Sequence, residues 1–445
     1  MLSKKLRSRG MTTVMATAAL AQDLPKDIRP VYVLGFLHFQ QPLRLPEVQQ
    51  LFEDRLLTIP RFRSKPIMEK NGSVLWEPLT RINMDDVVTE VSCVKTQAEV
   101  DAFCAQLYKD GLGEDKPLPW WHAFIFNDMA DGRSMLLFAV NHAIADGPSL
   151  IASLLAILDD QDAAPRTSSR REVKTPGCLA KLGAVCRAVC SVTVGDQLPG
   201  DPKNRLKVRD HRHPGTDVVL GMSDCIDLGR VKEVANAYPG ATVNDILMAV
   251  VTLTIQAYLT KAEPAVVEKK QSFRANFPIS VRKSGQDALS AENFGNLFSS
   301  GTLSFPIGEK DPCKVVENIQ RQIDKIKVSP EPIFRFHMTN KLASLGLKAT
   351  TIMDLVLDMY GKVSVMLSNV VGPAKTAYLG GQAIDQISFY ALAPLGFYIG
   401  VVSYNGKISC GVTVRTECEP DVTKITSEWA PAFERLAAAT KAKAA

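Results

Sequence analysis

The chain has 445 residues, 46% of them hydrophobic, which is enough to bury a large core and suggests about two domains. Its formal charge of +5 is small for this length. It excludes a dedicated nucleic-acid binder but suits weak attraction to an anionic membrane surface. The nine cysteines are scattered without a C-x-x-C pair, and none of the six histidines has zinc-site spacing to them. The chain reads as an intracellular, reduced protein with no metal centre.

Residues 1–24 form a leader. Lys4, Lys5, Arg7 and Arg9 precede a mild apolar run from Met11 to Ala21, and the first acidic residue is Asp23. Two readings are open: a basic, partly disordered extension, or an organelle-targeting segment. The run is too short to span a bilayer, and no other segment reads as a transmembrane helix.

Residues 25–160 alternate between strand-like and helix-like patterns. Val31 to Phe39 reads as a buried strand, Pro46 to Leu57 has helical apolar spacing, and Pro66 to Met68 is strand-like. Thr96 to Tyr108 predicts a helix. Strands at His122 to Phe126 and Met135 to Val140 flank the turn Asp128 to Gly132. The second of them ends in Asn141-His142-Ala143-Ile144-Ala145-Asp146-Gly147, and a helix follows with Pro148 in its first turn. A histidine at a strand end is suited to general-base work, since its ordinary pKa of about 6.5 lies near working pH. The same placement is also common for a structural histidine, and Asp146-Gly147 is an ordinary turn pair.

Residues 161–220 read as a linker. It is basic at Arg166, Arg170, Arg171 and Lys174, then broken-apolar from Cys178 to Val194. That patch predicts either an amphipathic interfacial helix or an ordinary connecting helix. Residues 221–445 resume the mixed pattern. Gly229 to Tyr238 is helical, and a long helix runs from Thr242 to about Leu259, with Thr242 as N-cap and Asp245 as its reciprocal partner. Strands are expected at Gln271 to Phe277, Leu297 to Phe305, Lys362 to Ser368, Ile387 to Ala391, Phe397 to Tyr404 and Lys407 to Val414. Helices are expected at Asp311 to Lys327 and Asp421 to Ala438. The two halves therefore predict two related α/β sandwich lobes.

Several strings fall in one order along the chain. They are Pro60-Arg61-Phe62-Arg63, Pro119-Trp120-Trp121, the His142-to-Gly147 motif, Ala241-Thr242-Val243-Asn244-Asp245, Phe277 to Arg282, Gly295-Asn296, and Ser368-Asn369-Val370-Val371-Gly372-Pro373. As a set, over about residues 30 to 435, they resemble the wax ester synthase/diacylglycerol acyltransferase family, built on the chloramphenicol acetyltransferase fold. The first histidine of that family's doublet is Asn141 here, and Val371 stands where the family often has proline.

The resemblance implies two chloramphenicol acetyltransferase-like lobes with an active-site tunnel between them. It implies transfer of a long-chain acyl group from acyl-CoA to a fatty alcohol or diacylglycerol at a membrane or lipid-droplet surface, with no cofactor. His142 would be the general base. Asp146 would be structural and pair with Arg63, or less readily with Arg61. Asn244, Ser280 and backbone amides around Gly147 are candidate oxyanion donors. Ser280 and Arg282 could line the channel, bind coenzyme A phosphates or simply finish a strand. Asn244 and Asp245 are equally well explained as helix caps. Asn296, Ser368 and Asn369 complete the candidate set, with Ser368 to Pro373 shaping the second lobe. Two alternatives stay open: a condensation-type enzyme charged by a carrier protein, and a catalytically silent lipid-binding relative.

Overall fold

The structure is a computed structural model that describes residues 6–8, 11–20, 25, 27–69, 73–159, 199–283, 287–290, 292–345 and 348–444. The basic run Arg166 to Lys174 and the patch Cys178 to Val194 lie outside the described residues.

Three sheets organise the molecule. The first has six strands in the order Tyr378–Leu379, Gln382–Leu392, Tyr32–Phe39, Ser134–Asn141, Trp121–Phe126 and Val88–Glu90. Its pairs are antiparallel except the last. Tyr32–Phe39 and Ser134–Asn141 are almost continuously apolar because they are inner strands covered on both faces. The sheet borrows two strands from the second half of the chain, so the lobes do not coincide with the two sequence halves.

The second sheet runs Phe298–Phe305, Phe273–Ser280, Val365–Val371, Phe397–Tyr404, Lys407–Arg415 and Val218–Met222, with Ile226–Asp227 also on Lys407–Arg415. Val365–Val371 is parallel to both of its neighbours. Against this sheet lies the helix Val243–Ala262, apolar nearly all round and buried from Asp245 through Ile255. It is long and apolar enough to cross a bilayer, yet 78% of its apolar window is inside the fold, as suits a core helix. Its first turn is closed as the sequence expects: the Thr242 amide donates to Asp245 Oδ2 (2.7 Å), and the Asp245 amide to Thr242 Oγ1 (3.4 Å). Helices Glu331–Ser344 and Ala349–Tyr360 add elements that the sequence reading left out.

The leader departs most from expectation. Leu6–Arg7 pairs with Val74–Pro78 in a small third sheet completed by Ser64–Met68. Met11–Leu20 is a helix that buries Thr12, Thr13, Val14, Ala16 and Thr17. Trp76 Nε1 donates to Ser8 Oγ (2.8 Å). A weakly amphipathic run of small residues looks unattached in sequence; here it fits because small side chains allow close packing on several sides.

Candidate active site

The turn after the strand Ser134–Asn141 carries His142. Its backbone hangs from both neighbouring segments: the Asn141 amide donates to the Trp120 carbonyl (2.9 Å) and the His142 amide to the Val31 carbonyl (2.8 Å). The helix Gly147–Ile157 then starts with Asp146 as N-cap, its Oδ1 accepting from the Ser149 amide (3.2 Å).

The imidazole is oriented from the second half of the chain. His142 Nδ1 lies 2.9 Å from Asn296 Oδ1, while Asn296 Nδ2 donates to the His142 carbonyl at 2.8 Å and, more weakly, to the Ala143 carbonyl at 3.4 Å. Those two carbonyls can only accept, so the amide nitrogen must face them and the amide oxygen must face the ring. Nδ1 therefore carries the proton, and Nε2 keeps its lone pair. Burial lowers the His142 pKa from its ordinary value, outweighing the opposing pull of the Asp146 carboxylate and of the Asn296 bond. The shift favours the neutral ring near pH 7.

Asp146 does not pair with Arg63. Arg282 takes it in a two-pronged bond, Nη1 to Oδ2 at 2.7 Å and Nη2 to Oδ1 at 2.9 Å, with both side chains almost fully buried. The carboxylate also accepts from the Leu297 amide (2.9 Å). Arg282 gives its remaining bonds to the carbonyls of Asn293 and Gly295 and to Ser149 Oγ. Arg63 is exposed at the end of a short helical turn, with its side chain outside this network. Arg61 is buried instead, its guanidinium 4.6 Å from the Trp76 ring and donating at 3.4 Å to the Ile144 carbonyl. Burial lowers the Arg61 pKa to about 9.

Gly295 sits at φ +124°, where a side chain would be strained, and a Cβ there would lie a tight 3.1 Å from Thr12 Oγ1. Thr12 Oγ1 accepts from the Asn296 amide (2.9 Å). Asn141, in place of a histidine, accepts from the Ala143 amide through Oδ1 (3.0 Å) and donates through Nδ2 to Glu114 Oε1 (3.0 Å). Glu114 also receives the Tyr32 hydroxyl at 2.7 Å.

Thus Asn141, His142, Asp146, Gly147, Arg282 and Asn296 converge. Ser280 is exposed, and among the described residues its hydroxyl accepts only a long bond from the Arg282 amide (3.4 Å), at the end of its strand. Asp245 is a buried cap. Asn244 Oδ1 accepts from Asn369 Nδ2 (2.9 Å), and the next residue, Val370, packs 3.6 Å from the position a Cβ on Gly147 would take. Ser368 is half-buried one residue before that pair. Sequence reasoning missed Thr12 and Glu114. The only trace of Glu114 is an acid in the glycine-rich loop Gly111-Leu112-Gly113-Glu114, and Thr12 left none.

Two family models cover the chain: "wax ester synthase/diacylglycerol acyltransferase catalytic domain" over residues 19–195 and "WS/DGAT C-terminal domain" over residues 294–437. The protein belongs to the wax ester synthase/diacylglycerol acyltransferase family. It is therefore an acyltransferase. Among relatives, wax ester synthase/diacylglycerol acyltransferase 11 of Arabidopsis thaliana is 24% identical, over 88% of each chain. Number 3 of the same plant is 22% identical, over 86% of this chain and 85% of that one. The wax ester synthase/diacylglycerol acyltransferase from Marinobacter aquaeolei VT8 superposes with TM-score 0.65 at 16% identity, covering 98% of this chain and all 100% of that one. A trichothecene 15-O-acetyltransferase from Fusarium sporotrichioides gives 0.63 at 12%, over 98% and 95%. The two-lobed, chloramphenicol acetyltransferase-like α/β fold is thus shared well outside the wax ester synthase/diacylglycerol acyltransferase family.

Proposed function

We propose that the chain moves a long-chain acyl group from acyl-CoA to a fatty alcohol, giving a wax ester, or to diacylglycerol, giving triacylglycerol. The observation that carries this reading is the fixed tautomer of His142, whose Nε2 lone pair is free while Asn296 holds Nδ1. The acceptor hydroxyl has a pKa far above 7 and needs a base as it attacks. Nε2 takes that proton while the oxygen bonds to the thioester carbon. The tetrahedral intermediate then collapses, the carbon–sulfur bond breaks, and the imidazolium returns the proton to the thiolate. The Gly147 amide is the proposed backbone donor to the transient oxyanion, since Pro148 has no N–H and the Ser149 amide is taken by Asp146. No metal or redox cofactor enters this sequence.

Coenzyme A and a lipid acceptor must reach one nitrogen without competing, so a passage between the lobes open at both ends belongs to the proposal. So does a peripheral membrane or lipid-droplet location inside the cell, with residues 166–194 as contact. Labelled acyl-CoA with a fatty alcohol or with diacylglycerol, in detergent or vesicles, tests the reaction. We expect ester formation that falls about a hundredfold to ten-thousandfold in His142→Ala, the scale of a lost general base. Near-normal turnover in a folded His142→Ala variant removes the base. Turnover with an acylated carrier protein but not with acyl-CoA changes the donor.

A further inference from the structure

The second lobe holds a cavity of about 240 Å³ away from the His142 turn. Lys203, Lys207, Arg209, His211, Tyr360 and the start of the strand Val365–Val371 are among its lining. Among the described residues, no aspartate or glutamate lines it. Two of these side chains are held by carboxylates outside the lining: His211 Nε2 lies 3.0 Å from Asp358, and Arg209 Nε 3.9 Å from Glu417. Lys207 has only a backbone carbonyl, that of Asp201, at 2.8 Å, and Lys203 has no side-chain partner among the described residues. The Asp201 carboxylate is itself occupied by Ser364 Oγ and the Arg274 amide. Burial lowers the Lys207 pKa against the pull of Asp201, and the nearby Arg274 guanidinium lowers it further. Such a wall suits an anion with several acceptor oxygens.

The cavity is joined to the catalytic turn by one element. The strand that begins at Val365 continues to Val370, the residue packed on Gly147. From Met366 to Val370 is about 13 Å, at about 3.3 Å per residue. We propose that this cavity binds a phosphate of the acyl donor's nucleotide end through Lys203 and Lys207, so that the donor's flexible arm follows the strand toward His142. The assignment rests on the acyl-CoA reading above.

The test compares acyl-CoA with the same acyl group on pantetheine, which carries no phosphate. In Lys203→Glu/Lys207→Gln, the ratio of kcat/KM for acyl-CoA to that for acyl-pantetheine should fall about tenfold or more, and Lys207→Arg should keep the ratio near that of the unmodified chain. An unchanged ratio, or an equal loss with both donors, overturns the assignment. Binding of free CoA, of inorganic phosphate and of phosphatidate-containing vesicles is measured alongside. We expect the double variant to weaken CoA and phosphate about tenfold and to leave vesicle binding intact. Loss confined to the vesicles would give the cavity to a lipid headgroup and overturn the proposal. Failure of the unmodified chain to turn over any acyl-CoA would instead count against the reaction itself, and is told apart by calorimetric CoA binding.

Discussion

The His142 turn is held from two sides by different chemistry. On the side built from its own half, Asn141 ties the Ala143 amide to Glu114, which also holds Tyr32. This support sits at a half-buried loop, and its acid has no cationic partner in the network. On the other side, Arg282, Asn293, Gly295 and Asn296 come from the second half and bring a buried, fully hydrogen-bonded ion pair. A buried pair contributes little net stability when intact but is costly to break. The first side therefore adjusts the turn, while the second makes its geometry depend on the correct docking of distant segments.

Breaking the stronger side should have the largest effect. Arg282→Met leaves Asp146 buried without its cationic partner, and we expect a loss of about 3–5 kcal/mol in urea unfolding together with most of the activity. Asp146→Asn/Arg282→Met should be less damaging than the two single losses added together, because the pair is one unit. Full additivity would mean that the two side chains act separately.

Asn296→Ala leaves the ion pair in place and removes the ring's orientation. Turnover should fall roughly tenfold to a hundredfold, equivalent to about 1–3 kcal/mol. The sign with pH can also be worked out. The unmodified enzyme should be on its plateau at pH 7 and lose kcat/KM as pH falls through a midpoint below about 6.5. The Asn296 bond raises the His142 pKa, so its removal should move that midpoint lower still. An upward shift in the pH–rate profile would contradict the assigned tautomer. The smallest effect is expected on the first side. Glu114→Gln should cost about 1 kcal/mol of stability and only a few-fold in kcat, because an amide oxygen can still accept from Asn141. If it matched Arg282→Met, the distinction between the two sides would disappear.

Much of the fold was legible because it is written locally. The apolar runs of Tyr32–Phe39 and Ser134–Asn141, the Thr242–Asp245 box and the strand-to-helix turn at His142 each follow from a few adjacent residues. The partner of Asp146 was not, because Arg282 is 136 residues away and carries no local mark of the pairing. Arg282 was nevertheless singled out, as a channel-lining, phosphate-binding or strand-end residue, and the structure pairs it with Asp146 instead. The family resemblance supplied His142 and Asn296 as candidates; only the geometry shows which Asn296 atom faces the ring. The leader helix and Glu114 stayed hidden for the same reason: each matters through the surface it meets, and no periodicity records that surface.

The strand Gln382–Leu392 pairs along the whole length of Tyr32–Phe39, from Tyr32 with Leu392 to Phe39 with Ile384. On a ribosome, Tyr32–Phe39 and Ser134–Asn141 emerge long before their neighbour exists. At about 5–20 residues per second the delay is on the order of tens of seconds. Through that interval these apolar strands have an open edge, a template for pairing with another nascent chain. A fragment ending near residue 160 should keep that edge permanently and aggregate when expressed alone, and co-expression with the remainder should restore solubility by strand complementation.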